Sequence, residues 1–100
     1  MKKTFPLKDQ SRPDARVLET VKSELRKYVQ REQRKTLPEG FNRWDFACKV
    51  GVDAAAARIL PLSEVVAAVD TEAKKGAASV YVEIIALPAL KNAPETPRSE

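Results

Sequence analysis

The sequence predicts a small α+β domain, in which two helices lie on one face of a three- to four-stranded sheet. Two helical periodicities alternate with segments of strand-like alternation, in the order β-α-β-(turn)-α-β. Each predicted helix carries one apolar stripe and the middle strand has one polar face, which favours a two-layer sandwich. Because helical crossovers connect the strands, the predicted pairing is parallel or mixed. The alternative is an antiparallel sheet with the helices at its ends.

The first predicted elements are a short strand and a long helix. Residues 4–7 alternate, and Pro6 lacks an N–H to donate, so this strand is expected at a sheet edge. Ser11 is the expected N-cap of a helix that runs to about Lys35. The apolar stripe of this helix stops at Val29, so its last turn is expected to extend past the core into water.

The remaining elements are a strand, a second helix and a final strand. Residues 42–50 alternate cleanly, whereas residues 52–60 fit a loop, a single helical turn or a short strand equally well. Ser63 is the expected N-cap of a helix that ends before Gly76, and residues 79–87 are the strongest strand. Residues 1–90 are thus interpreted as one domain, and residues 91–100 as a disordered C-terminal tail.

The hydrophobic core is predicted from the faces that these periodicities define. Cys48 lies on the apolar face of the middle strand and is expected to be buried. Trp44 on the same face is expected to be a central core residue, whose loss would remove most of the stability. The predicted core comprises Val17, Val21, Leu25, Trp44, Phe46, Val50, Val66, Val69, Val82 and Ile84.

Composition argues against an enzyme. The 100 residues include no histidine, the commonest general base and metal ligand, and a single cysteine that allows no intrachain disulfide. The three glycines are far apart and form no phosphate loop. The sequence therefore predicts no catalytic residues, no cofactor and no metal. It contains no apolar run long enough for a bilayer, so we expect no membrane partner and a cytoplasmic location.

Charge is the strongest hint of a binding partner. Residues 1–50 carry 13 basic and 7 acidic side chains, a net +6, whereas residues 51–100 carry 5 and 7, a net −2. Such asymmetry fits an acidic partner, with nucleic acid the first candidate; a solvated basic helix is the alternative explanation. The candidate nucleic-acid-binding residues, all on the first helix, are Lys22, Arg26, Lys27, Arg31, Arg34 and Lys35.

The polar side of the sheet is a second candidate surface. Tyr81 and Ile85 are expected on the face away from the helices, where they would contact a protein partner or a second copy of the chain. Asp45 and Glu83 would form an acid–base pair if their strands were adjacent, but pairing with Arg43 and Lys49 is the simpler expectation. The candidate residues for sheet-face interaction are Asp45, Lys49, Tyr81, Glu83 and Ile85.

Three stretches resemble a known family. MKKTFPLKD at the start, WDFACKVG in the middle and SVYVEIIA near the end are similar to a family of short, uncharacterised proteobacterial proteins, a domain of unknown function about 90–100 residues long. The resemblance extends over about residues 1–88 and implies a bacterial cytoplasmic protein, but it carries no activity or site. From the residues themselves we expect a non-enzymatic binding module, with nucleic acid as the first partner to test and a protein-interaction or homodimerisation module as the alternative.

Overall fold

The structure is a computed structural model that describes residues 1–90. The predicted tail, residues 91–100, lies outside the described residues. The elements follow in the order β1 (Lys2–Pro6), α1 (Asp14–Gln33), β2 (Arg43–Gly51), β3 (Arg58–Leu60), a 3-10 turn (Leu62–Glu64), α2 (Val65–Lys74) and β4 (Ser79–Ala89). The α+β class is confirmed. Over residues 1–90, no helix combines the length and apolar character that crossing a bilayer requires.

The four strands form one antiparallel sheet in the order β1-β4-β2-β3. The predicted parallel or mixed pairing is therefore wrong. Each helical crossover joins two strands that run in the same direction but are not neighbours: β4 lies between β1 and β2, and β2 lies between β3 and β4. Such split β-α-β units make every adjacent pair antiparallel. Helical connections thus indicate strand direction correctly but do not identify strand neighbours.

The core lies between the helices and one face of this sheet. The largest fully buried side chains include Leu25 of α1, Val69 of α2 and Ile84 of β4. Phe5 on the edge strand β1 closes one side of the cluster, so the edge position predicted from Pro6 is confirmed. The buried cluster comprises Phe5, Leu7, Val21, Leu25, Cys48, Val50, Val65, Val69, Val80, Val82 and Ile84.

Helix ends differ from the sequence expectation in ways that side-chain chemistry explains. Ser11 does not cap α1, because its N–H and hydroxyl both donate to the Asp9 carboxylate at 2.8 Å; the cap is Pro13. Helix α2 begins at Val65, after a 3-10 turn that contains Ser63. Gly76 has a φ of 83°, the left-handed conformation expected just past a helix end, so its predicted role is confirmed.

The ambiguous segment 52–60 resolves into a turn followed by β3, whose residues pair with the end of β2. Gly51 is essential to this turn, since a Cβ atom there would lie 2.6 Å from the Ala57 Cα. Three predicted core residues are only half-buried: Trp44, Phe46 and Val66. In α2, Val65 occupies the fully buried position instead of Val66.

Candidate nucleic-acid interface

Lys22, the first of the six candidate basic residues, belongs to a contact between the two helices. Its Nζ lies 3.1 Å from Asp70 Oδ1 on α2 and 3.8 Å from Glu19 Oε2. Only 15% of the Lys22 side chain is exposed. Two carboxylates offset its charge and little of the side chain is accessible, so Lys22 is not part of the surface considered below.

Arg26 on α1 and Lys35, two residues past its end, are exposed but have carboxylate partners on α1. Arg26 Nη2 lies 4.0 Å from Glu19 Oε1, and Lys35 Nζ lies 2.8 Å from Glu32 Oε2. These contacts lower the net positive charge at both positions. Exposed ion pairs of this kind form and break readily, so both residues remain accessible to a ligand. They add little to the positive electrostatic potential of the surface.

Lys27, Arg31 and Arg34 form what we call the free basic row. All three are exposed, Lys27 and Arg31 on α1 and Arg34 at its C-cap, at positions i, i+4 and i+7 of one helix face. Among residues 1–90, none of the three has a carboxylate within 4.0 Å, although the Arg31 guanidinium lies 5.9 Å from the centre of the Tyr28 ring. The structure therefore brings together half of the predicted cluster as an unneutralised positive surface.

Trp44 adds an aromatic group at the end of this row. Strand alternation places Trp44 on the helix-facing side of β2, near the start of that strand, and α1 ends at Gln33. The indole is half-buried, and its Nε1–H donates a hydrogen bond of 3.0 Å to the Lys35 carbonyl. Sequence alternation assigned Trp44 to the core and did not predict this position. Alternation shows which face of a strand a residue occupies, but not where the helix packed on that face ends.

The opposite face of the sheet carries the second set of candidate residues. Lys49 and Lys2 lie on either side of Glu83 in register across three strands. The Tyr81 hydroxyl donates to Glu83 Oε1 at 2.8 Å, and this hydrogen bond raises the pKa of Tyr81. Ile85 lies opposite Ala47. These candidate residues therefore share the predicted open face.

Asp45 and Glu83 do not form an acid–base pair. Asp45 is in register with Leu87, two same-face positions along β4 from Glu83 and roughly 13 Å away at the usual strand rise. Asp45 instead accepts a hydrogen bond of 3.2 Å from Arg43 Nη2. The simpler expectation was pairing with Arg43 and Lys49 across the sheet; Asp45 does pair with Arg43, but along its own strand, and the two carboxylates lie apart.

The same open face also carries apolar side chains, and the sequence did not predict all of them. Ile59 on β3 is 81% exposed and Leu87 on β4 is 46% exposed. Ile59 lies beside Lys49, at the end of the charged row, whereas Leu87 lies beside Asp45. A hydrophobic residue in a three-residue strand gives no alternation signal, which is why the sequence did not reveal Ile59.

The remaining reactive groups are inert or isolated. Burial raises the pKa of the Cys48 thiol, which is 2% exposed and points into the core. Within the described part of the chain, no three His, Cys, Asp or Glu side chains cluster as a metal site. The chemistry that the described surfaces present is therefore positive charge, one accessible indole and an open sheet face.

These features define a small α+β protein with two helices and an open antiparallel sheet. Comparison with family models places it more narrowly: the chain belongs to the Family of unknown function (DUF6172), whose model matches residues 1–95. The expected membership in a domain of unknown function is thereby confirmed. A search of curated proteins and a search of solved structures each gave no significant match.

Proposed function

We propose that this protein is a non-enzymatic module that binds nucleic acid through the free basic row on α1. The observation that carries the proposal is the absence of carboxylate partners, within residues 1–90, for Lys27, Arg31 and Arg34. Two neighbouring basic residues do have such partners: Lys22 pairs with Asp70, and Lys35, just past the end of α1, pairs with Glu32.

The free basic row has an energetic cost that packing does not explain. Like charges at i,i+4 on a helix are destabilising by about 0.2–0.5 kcal/mol per pair. Lys27 and Arg31 form such a pair, and Arg34 follows three residues later. Cations near a helix C-terminus recover part of this cost from the helix dipole, within the last turn only. Lys27 lies outside that turn, so a polyanionic ligand accounts for the whole row better than the dipole does.

The dimensions of the row suit a phosphate backbone. Seven residues of helix span about 10.5 Å at a rise of about 1.5 Å per residue. One strand of B-form DNA presents a phosphate about every 3.4 Å along its axis, so about three phosphates face this length. Two arginines and a lysine are the side chains that usually make such contacts. A three-contact interface on one helix supports non-specific binding.

The proposal is tested by fluorescence anisotropy with labelled single- and double-stranded oligonucleotides. Three phosphate contacts predict a slope of log K against log salt of about −2 for single strands and about −3 for duplex DNA. Simultaneous Lys27→Glu, Arg31→Glu and Arg34→Glu substitutions are expected to abolish binding. The protein is expected to stay folded because all three side chains are exposed, although acidic residues at 31 and 34 are unfavourable near the helix C-terminus by about 0.3–1 kcal/mol each.

The matched control reverses three exposed basic residues elsewhere: Arg58, Lys74 and Lys75. This variant has the same net charge as the test variant, but its changes lie on β3 and α2. It is expected to retain most of the affinity. The proposal fails if the wild-type protein shows no binding at micromolar concentration in low salt, or if both triple variants lose binding equally, since net charge alone would then be responsible.

The open sheet face supports a second candidate function, self-association. Ile59 and Leu87 expose apolar surface there, and Glu83 lies between two lysines in a row that a second copy can complement by a two-fold rotation. Sedimentation of the wild-type protein and of an Ile59→Lys variant tests this function. A concentration-dependent dimer that the substitution disrupts would support it, and a monomer at all concentrations would eliminate it.

We also propose a bacterial cytoplasmic location. The resemblance of the three sequence stretches to proteobacterial proteins supports it. A lone buried cysteine, Cys48, suits a reducing compartment, since it forms no intrachain disulfide.

A further inference from the structure

Trp44 occupies a position that core packing does not require. Its neighbours on the same strand face, Cys48 and Val50, belong to the buried cluster, whereas Trp44 does not. The indole lies next to the end of α1 and is half-buried. A large aromatic group left partly in water is a common feature of binding surfaces.

The hydrogen bond to the Lys35 carbonyl fixes the indole at the basic end of α1. The acceptor lies two residues past Gln33, and the carbonyl belongs to the residue next to Arg34. The ring is therefore held by β2 on one side and by the helix end on the other. A pre-positioned ring loses little conformational entropy when a flat ligand stacks on it.

We propose that Trp44 stacks against one base of a single-stranded nucleic acid whose phosphates lie along the free basic row. This inference rests on the function proposed above and narrows the ligand from nucleic acid in general to single strands. A basic row that ends at an accessible aromatic ring is the combination with which proteins bind single strands. In a duplex the bases are already stacked on each other, so the indole gains nothing from them. Trp44 therefore makes the surface prefer single strands.

The indole also has a structural role, because its N–H satisfies the Lys35 carbonyl just past the end of α1, and the test must separate the two roles. Trp44→Phe and Trp44→Leu both remove the N–H donor, but only Trp44→Phe keeps a stacking surface. A purely structural role predicts that both variants bind equally. Stacking predicts that Trp44→Leu loses roughly 5- to 150-fold in affinity for single strands, the equivalent of one base stack, while Trp44→Phe retains most of it.

The ligand offers a matching control. An abasic oligonucleotide of equal length has the same phosphates but no bases, and it is expected to bind wild-type protein about as weakly as a thymidine oligonucleotide binds the Trp44→Leu variant. Because Trp44 is the only tryptophan, its intrinsic fluorescence reports the contact directly. Quenching is expected with the thymidine oligonucleotide and is not expected with the abasic strand or with duplex DNA.

The outcomes distinguish this inference from the proposed function. Binding by anisotropy without quenching, or equal loss of affinity in Trp44→Phe and Trp44→Leu, would overturn the stacking role and leave the basic row intact. Absence of any wild-type binding would overturn the proposed function itself. Circular dichroism shows whether each variant folds, and the quenching experiment on wild-type protein decides the question even if Trp44→Leu does not fold.

Discussion

The ion pair between Lys22 and Asp70 is expected to stabilise the packing of α1 on α2. Its atoms are 3.1 Å apart, a separation at which two unit charges attract by about 1.3 kcal/mol even at the dielectric constant of water. Exposed pairs yield about 0.2–1 kcal/mol, because solvent screening and side-chain entropy offset the attraction. Since the Lys22 side chain is only 15% exposed, we expect a coupling near the top of that range, about 1 kcal/mol.

A double-mutant cycle measures this coupling. Lys22→Met keeps the apolar stem, Asp70→Asn keeps the shape, and urea unfolding of the two single variants and the double variant isolates the interaction. The control is the pair Lys3–Glu24, which is shorter at 2.7 Å but has side chains 50% and 45% exposed. Its coupling is expected below about 0.5 kcal/mol. A Lys22–Asp70 coupling below about 0.3 kcal/mol, or a larger one for the control, would refute the argument that burial outweighs distance.

Two further predictions concern the turn after β2 and the tyrosines. Gly51→Ala is expected to destabilise the protein by about 1–3 kcal/mol in urea unfolding, because the added Cβ would meet Ala57 backbone atoms at 2.6–2.7 Å; unchanged stability would contradict this close approach. The only two tyrosines both have a raised pKa, Tyr28 chiefly through burial and Tyr81 chiefly through its hydrogen bond to Glu83. Absorbance titration is therefore expected to show ionisation at higher pH in the folded than in the unfolded protein. Folding stability is expected to decline as the pH rises past the unfolded value of about 10.

Periodicity was sufficient to predict the two helices, strands β1, β2 and β4, and most of their buried faces. The alternation in β2 and β4 and the stripe of α1 correctly assigned Cys48, Val82 and Leu25 to the core. Periodicity could not predict which strands are neighbours. A period of two specifies which face of the sheet a residue occupies, but not which strand pairs with its own. The strand order and the antiparallel pairing of the sheet were therefore established only by the structure.

The candidate site was predictable to the extent that it depends on one helix. Lys27, Arg31 and Arg34 share a face by helical spacing alone, and the structure keeps them exposed. The involvement of Lys22 in an ion pair depends on Asp70, far away in the chain, which no local pattern reveals. The position of Trp44 depends on where α1 ends relative to β2, a tertiary relation.

The strand order also constrains when this protein can fold during its synthesis. Among the strands of residues 1–90, β1 is made first and β4 last, yet the strand that pairs with β1 is β4: Lys2 pairs with Glu83. Before β4 is made, only the β2–β3 hairpin can form, and isolated two-stranded hairpins are marginally stable. The nascent chain therefore remains without a sheet until Ser79–Ala89 inserts between β1 and β2. Loss of this one segment would separate β1 from β2 and leave a chain that cannot fold, instead of a shorter domain.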